Sequence, residues 1–399
     1  MVRTSKEVSI RMPDERIDRS LSRRPDRRSE SAVRIYTAPG RITLDEWDAL
    51  VERTPGTDVT QLSAWARVRS SAGFSPLYVH AHRDGKLVGG AQLLHRRLPA
   101  VGRVGYVSYG PVVDHSAVDG DAVRTAIADA LRALGPSRLR MIFIQPPEGA
   151  DAVSVDLLTR GFRPSTARIA PAGSIRIDLT EDLARIRSRF GRRLRSWPHR
   201  WEGRGVTVSV GGEQDLPLLA RLMTQSAQRQ GFTPPPLAYL QTLYQELIGG
   251  GNVALFVGYM HRRPVAADLV TVCGGMIRGR FAGFDRRGEA ARLSVPAAIR
   301  WEIIQWGKAR GLRWLDFGGL SDATLDALLN GGGEAATVSS CDQPKLTFGG
   351  TPYRYPPAVE LVTPTALRLA YDLARSSPRG RRVLHRAQVT LRMRSARRC

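Results

Sequence analysis

Between Leu293 and Gly350 the chain reads LSVPAAIRWEIIQWGKARGLRWLDFGGLSD over 293–322 and, after a glycine-rich loop, CDQPKLTFGG over 341–350. Val295, Ile299, Ile303 and Trp306 recur at steps of four and three residues, the spacing of one buried helix face, while Arg300, Glu302 and Lys308 fall on the other side. Gly311 stands where a C-terminal cap belongs, so the helix is expected to stop there. Arg313-Trp314-Leu315-Asp316-Phe317 then reads as a buried strand broken by Gly318-Gly319. A helix that feeds a strand whose end opens into a glycine loop is how α/β domains present backbone and polar groups to a ligand. A second pair, Gly349-Gly350, follows Lys345 at short distance.

Composition bounds what such a site serves. The 399 residues are enough for two domains of ordinary size, and an apolar fraction of 42% fits a packed globular chain. No apolar run is long enough to span a bilayer, and the N-terminus lacks the apolar segment of a secretory signal, so a cytoplasmic location is expected. Cys273, Cys341 and Cys399 lie far apart with no CxxC and no neighbouring histidines, which predicts packed or tail thiols and no metal site. The formal net charge is +23. Such an excess, nearly all arginine, calls for polyanionic company, although arginine richness also follows from genome composition. GxSxG, HExxH, P-loop and Rossmann glycine patterns are all missing, which removes support for serine hydrolase, zincin, NTPase and dehydrogenase chemistry. His80 and His82 share a strand face and read as structural.

In chain order, residues 1–32 are polar, Arg- and Ser-rich and without apolar periodicity, so a disordered basic tail is expected. Val33–Tyr36 reads as a strand, and Thr43 with Glu46 as a capping box opening a helix. A helix with Trp65 and Arg69 follows, then two alternating strands around Asp84-Gly85, a hairpin signal. GYVSYGPVVDHS places Tyr106, Tyr109 and Asp114 about a Gly-Pro corner. A helix, a buried strand over LRMIFIQPP and another helix finish a first α/β unit over 33–178. A second unit, 179–377, opens with Thr180 as a helix cap and a buried stripe of Leu183, Ile186, Phe190 and Leu194 on a helix rich in arginine, including Arg192 and Arg193, that Pro198 should end or kink. Its helix, helix, hairpin, helix, strand order repeats the first unit in outline. Residues 378–399 read as a basic C-terminal tail, suited to an anionic membrane surface, to RNA or to solvent.

The wording W-x-x-I-x-W-x-K-x-x-G, DFGG and K-x-x-FGG, with Gln61, Trp65 and Arg69 upstream and Tyr106, the Gly-Pro corner and Asp114 after them, resembles the FemXAB family. These are aminoacyltransferases of peptidoglycan bridge formation. The resemblance covers roughly residues 55–370 and implies α/β architecture made of two tandem GNAT-like domains with mixed central sheets; no long heptad segment provides the coiled-coil arm of some members. It also implies that an amino acid (glycine, alanine or serine) moves from aminoacyl-tRNA, a co-substrate, to the stem-peptide amine of lipid II or a UDP-linked precursor, without a bound cofactor or metal. The R/Q-x-x-G-x-G/A loop that holds coenzyme A pyrophosphate in ordinary acetyltransferases is missing from FDRRGEAARLSVP, in keeping with a different acyl donor.

By the same resemblance, Lys345 supplies charge to the acyl-donor end or the oxyanion and Asp114 orients the amine or accepts its proton. Arg69, Tyr106, Tyr109, Arg192 and Arg193 bind substrate, the arginines at phosphate. Two departures stand out: Arg69 replaces a lysine, keeping charge and adding a bidentate fork, and Pro344 replaces the phenylalanine before Lys345. Asp316 is expected to support the DFGG turn. Peripheral contact with an anionic membrane surface is a further expectation. Two other functions stay open on the residues: transfer to a secondary-metabolite amine, and a non-catalytic scaffold for RNA or anionic lipid.

Overall fold

The computed structural model describes residues 32–37 and 44–384, apart from 115, 118, 168, 199, 231–232, 288, 331–337 and 339–341. The tail expected before Ala32, the cap at Thr43, Cys341, and the part of the C-terminal tail beyond Leu384 lie outside the described residues.

The first half runs β1 (Arg34–Tyr36), α1 (Leu44–Arg53), α2 (Ser63–Ser70), β2 (Ser75–Arg83), β3 (Lys86–Leu98), β4 (Gly102–Ser108), β5 (Val112–Val113), α3 (Gly120–Ser137), β6 (Met141–Gln145), α4 (Asp151–Thr159) and β7 (Arg163–Pro164). The second runs β8 (Gly173–Asp178), α5 (Leu183–Ser188), α6 (Arg192–Arg195), β9 (Val206–Gly211), α7 (Leu216–Gln230), α8 (Leu237–Ile248), β10 (Val253–Met260), β11 (Arg263–Cys273), β12 (Met276–Phe284), α9 (Glu289–Arg292), α10 (Val295–Ala309), β13 (Trp314–Asp316), α11 (Asp322–Leu329), α12 (Gln343–Leu346) and β14 (Thr351–Arg354). β15 (Val359–Val362) and α13 (Thr365–Ser376) follow, and the chain is helical again over 378–384.

Two mixed sheets result. The first has the order β1-β2-β3-β4-β6-β15-β7, with β5 on β3; the second has the order β14-β8-β13-β12-β11-β10-β9. Each contains one parallel pair, β4 with β6 and β12 with β13, inside otherwise antiparallel neighbours. The duplication read from the order of elements is therefore also a duplication of strand arrangement. At 18 residues, α3 is the longest helix among the described residues, so no coiled-coil arm occurs there. None of the described helices is long and apolar enough to cross a membrane.

The division at 178/179 does not match the sheets. β8, expected to end the first unit, lies in the second sheet between β13 and β14. β15, expected in the second unit, lies in the first sheet between β6 and β7. Each half thus completes the other's sheet. Both strands are short and buried, and hydrophobic pattern alone does not tell which sheet a buried strand joins. Glu360 in β15 is fully buried, and Arg163 of β7 at 3.0 Å and Arg375 of α13 at 3.4 Å compensate its charge.

Local expectations fare differently. α10 buries Val295, Ile299 and Ile303, with Trp306 packed at the core edge. It ends at Gly311, where φ is +68°. There Gly311 N–H bonds Lys308 O at 3.0 Å and Leu312 N–H bonds Gly307 O at 3.1 Å, the paired bonds of a Schellman cap. The arginine-rich helix is instead two short helices, α5 and α6, split around Gly191. Asp182 is the N-cap residue in place of Thr180, whose hydroxyl bonds Asp178, and α6 ends before Pro198. The buried stripe survives the break, because Ile186, Phe190 and Leu194 all remain in the core.

The halves share one apolar core. Trp47, Leu50, Trp65 and Val68 pack in the same cluster as Leu219, Leu243, Leu255 and Leu269. Polar links cross beside it: Gly56 N–H donates to Gly274 O at 3.3 Å and Asn252 Nδ2 to Glu52 at 3.1 Å. Cys273 is a buried free thiol within this core, as packed-thiol chemistry predicts. On the outer face of the first sheet, Val359 and Leu361 of β15 belong to the cluster of Val79, Leu93 and Ile142. Leu361→Ala should therefore cost about 2–5 kcal/mol, measured by urea unfolding, although it lies in the last tenth of the chain.

Candidate active site

Each parallel pair borders a cavity. The first, about 420 Å³, is lined by Val104, Gly105 and Tyr106 of β4 and Met141 and Phe143 of β6, together with Arg69 and Tyr109. The second, about 310 Å³, is lined by Gly279 and Arg280 of β12, Leu315 and Asp316 of β13, the DFGG glycines, Asp268, Arg300 and Lys345. Arg280 lines both.

A buried polar cluster fixes that arginine. Asp58 caps the short turn Val59–Gln61 through the Thr60 N–H at 3.0 Å and is 1% exposed. It accepts from Arg280 Nη2, and Arg278 Nε approaches it at 3.2 Å. Burial alone would raise the Asp58 pKa, but the two guanidinium groups outweigh it and bring it to about 2. Arg278 also donates to Tyr355 Oη at 2.7 Å and lies 4.5 Å over the Tyr109 ring. Tyr353 and Tyr355 donate to Asp316 Oδ2 at 2.6 and 3.1 Å. The other Asp316 oxygen accepts from Ser174 Oγ and from Gly318 N–H at 2.7 Å. Asp316 thus anchors the DFGG turn, where Gly318 adopts φ +85°.

Lys345 rises from α12 beneath this turn. Its ammonium donates to Gly319 O, to Gly318 O at 3.4 Å and to Asp342 Oδ1 at 3.4 Å. Burial pushes its pKa down, against the pull of Asp342. Across the same cavity, burial raises the Asp268 pKa to about 6, opposed only weakly by Arg300 at 4.0 Å. A cavity with three cationic side chains and an acid whose pKa is raised to about 6 is equipped to stabilise a developing oxyanion and to take up a proton.

The residues expected from sequence divide into two groups. Lys345 lines the second cavity, and Arg69, Tyr106 and Tyr109 line the first. Arg69 Nε donates to Tyr106 Oη at 3.2 Å and its guanidinium lies 4.5 Å from the Phe74 ring centre. Asp114 lines neither; it pairs with Arg53 at 2.8 Å and accepts from Ser116. Partial burial would raise its pKa, but these bonds lower it to about 2, which makes it a weak base. Arg192 and Arg193 are exposed on α6 and line neither cavity; Arg193 reaches Arg292 O at 3.5 Å. Arg300, read as part of the polar face of α10, points instead into the second cavity.

Sequence reasoning passed over Asp58, Asp268, Arg278, Arg280, Tyr353 and Tyr355. A signal existed for three of them. Asp268 is a lone acid in the apolar run PVAADLVTVC, and Arg278 and Arg280 stand two residues apart in the strand MIRGRFAGF. Asp58→Asn should leave two buried guanidiniums short of charge and cost about 3–5 kcal/mol, read as a drop in melting temperature. Because the Asp58 pKa is depressed, its contribution is present above the ordinary value of 3.8 and lost as pH falls toward 2. The gap between wild type and variant should therefore narrow in acid.

Residues 166–326 match the model of the acetyltransferase (GNAT) domain family. The lipid II:glycine glycyltransferase of Staphylococcus saprophyticus is 30% identical over 240 residues, 57% of this chain and 57% of that protein. The protein of the same name from Staphylococcus haemolyticus is 28% identical over 239 residues, with the same shares. The chain thus matches a little over half the length of these relatives. Among solved structures, FemX is similar with a TM-score of 0.71 at 19% identity, covering 84% of this chain and 98% of that one, a likeness of fold.

Proposed function

We propose that this chain, which resembles the FemXAB family in sequence and fold, is an acyltransferase that moves glycine onto the stem-peptide amine of a lipid-linked peptidoglycan precursor. The observation that carries the reading is the second cavity, where Lys345, Arg300 and Asp268 converge beside the DFGG turn. The two staphylococcal relatives, both named lipid II:glycine glycyltransferase, support glycine and lipid II as the substrate pair. The donor in this reading is aminoacyl-tRNA, for which the supports are the family resemblance and a net charge of +23.

In this reaction the acceptor amine attacks the ester carbonyl that joins glycine to the terminal ribose. The N–C bond forms, the carbonyl electron pair moves to oxygen, and the resulting oxyanion is met by the Lys345 ammonium and the Arg300 guanidinium. Asp268 takes the proton released from the amine. The oxyanion then collapses, the C–O bond to the ribose breaks, and the departing ribose oxygen takes the proton that Asp268 had accepted. The ester is already activated, so most of the work is alignment and charge stabilisation. Arg69 and Tyr106 in the first cavity suit the precursor diphosphate, and Arg280 joins the two cavities. Asp114, Arg192 and Arg193, which line neither cavity, have no step here. Transfer to another amine remains chemically equivalent; the relatives' names favour the peptidoglycan acceptor.

Labelled glycine from charged tRNA should appear on lipid II, in a product abolished by RNase pretreatment. Lys345→Ala should reduce the rate by at least about 100-fold, the scale for losing one oxyanion contact, with its melting temperature checked against wild type. Product that survives RNase would overturn the donor assignment, and an unaffected variant would overturn the site.

A further inference from the structure

The three most exposed large apolar side chains among the described residues are Leu373 at 72%, Leu369 at 63% and Val383 at 63%. All three lie on α13 and the helical turns after it. Leu369 and Leu373 are one helical turn apart on the outer face of α13. The opposite face, with Leu367, Ala370, Tyr371 and Ala374, lines the first cavity, and Leu384 joins that lining. An isolated exposed leucine is ordinary surface, but Leu369 and Leu373 stand together on α13 with apolar space directly behind it.

Charge surrounds the patch. Arg375, Arg379, Arg381 and Arg382 lie on the same segment, where Asp372 is the one acid from Thr365 to Leu384. At the N-terminal end of α13 a further cavity of about 440 Å³ is lined by Arg132, Arg140, Arg163 and Arg368, with Glu360 its one carboxylate. That carboxylate is already paired with Arg163 and Arg375. Arg132, Arg140 and Arg368 form no ion pair among the described residues. The sequence continues with Arg386, Arg392, Arg394, Arg397 and Arg398.

We propose that α13, the helical turns at 378–384 and the adjoining arginine-lined cavity form a docking surface for an anionic lipid bilayer. Leu369, Leu373 and Val383 enter the acyl boundary while Arg132, Arg140 and Arg368 meet headgroup phosphates. An apolar stripe flanked by arginines is what an interfacial helix needs. The surface stands on its own residues and does not depend on the transfer reaction.

Flotation with vesicles tests it independently of any transfer assay. The full chain should float with mixed phosphatidylglycerol and phosphatidylcholine vesicles, weakly with phosphatidylcholine alone, and less at high salt. Leu369→Asp with Leu373→Asp changes exposed positions only and should lower vesicle affinity by more than about tenfold. Arg132→Ser with Arg368→Ser should weaken it on anionic vesicles alone, by about fivefold per arginine. Melting temperatures for both variants should match wild type. Absence of flotation, or flotation that the leucine variant leaves unchanged, would overturn the proposal. So would concentration-dependent dimerisation abolished by the leucine variant, which would make the face a contact between two copies. Retention on RNA that depends on Arg132 and Arg368, without vesicle binding, would equally overturn it.

Discussion

The architecture turns on one buried carboxylate held between two arginines. Asp58 comes from the loop that opens α2 in the first half, and Arg278 and Arg280 come from β12 in the second. A lone charge at this depth would cost several kcal/mol, so none of the three is tolerable without the others. Their mutual need fixes the register between the halves at the point where the two cavities approach. Arg280 then faces both cavities while bonded to Asp58 and to Thr271 Oγ1. Arg278 carries the same constraint outward to Tyr355, and through the tyrosine pair to Asp316 and the DFGG turn. A chain of bonds thus runs from an N-terminal cap to the carbonyls that hold Lys345.

The reciprocal placement of β8 and β15 reinforces this coupling. Neither sheet is complete without a strand supplied from the other side of the boundary expected at residue 178. The shared apolar core and the exchanged strands make separate unfolding of the halves costly, since loss of one sheet strips a neighbour from the other. For catalysis this matters because the proposed reaction needs two substrates aligned across two cavities. Alignment to within fractions of an ångström demands walls that do not drift.

What the sequence disclosed was local. The 3.6-residue stripe of α10, its glycine stop, the hairpin at Asp84-Gly85 and the repeated order of elements follow from periodicity and turn chemistry, which neighbouring residues determine. The motif-bearing positions Lys345, Arg69, Tyr106 and Tyr109 fall on cavity walls because a resemblance transfers positions along with pattern. Whatever depended on contacts distant in sequence stayed hidden. Asp58 lies 220 residues from Arg278, and no pattern in either segment announces the other. The strand exchange belongs to the same class, as does the inward turn of Arg300, drawn to a cavity that periodicity assigns to no face. Asp114 belongs there too: Arg53, which pairs with it away from both cavities, lies 61 residues off in the sequence.

In the proposed reaction the second cavity performs the chemistry and Asp268 accepts the proton. The most direct test is the pH dependence of single-turnover glycyl transfer, compared between wild type and Asp268→Asn. Because burial raises this carboxyl to about 6, the wild-type rate should climb as pH rises through that value and then level off. The variant should lose both the rate and the inflection. A wild-type profile without an inflection near 6, or the same profile retained in Asp268→Asn, would place the proton acceptor elsewhere.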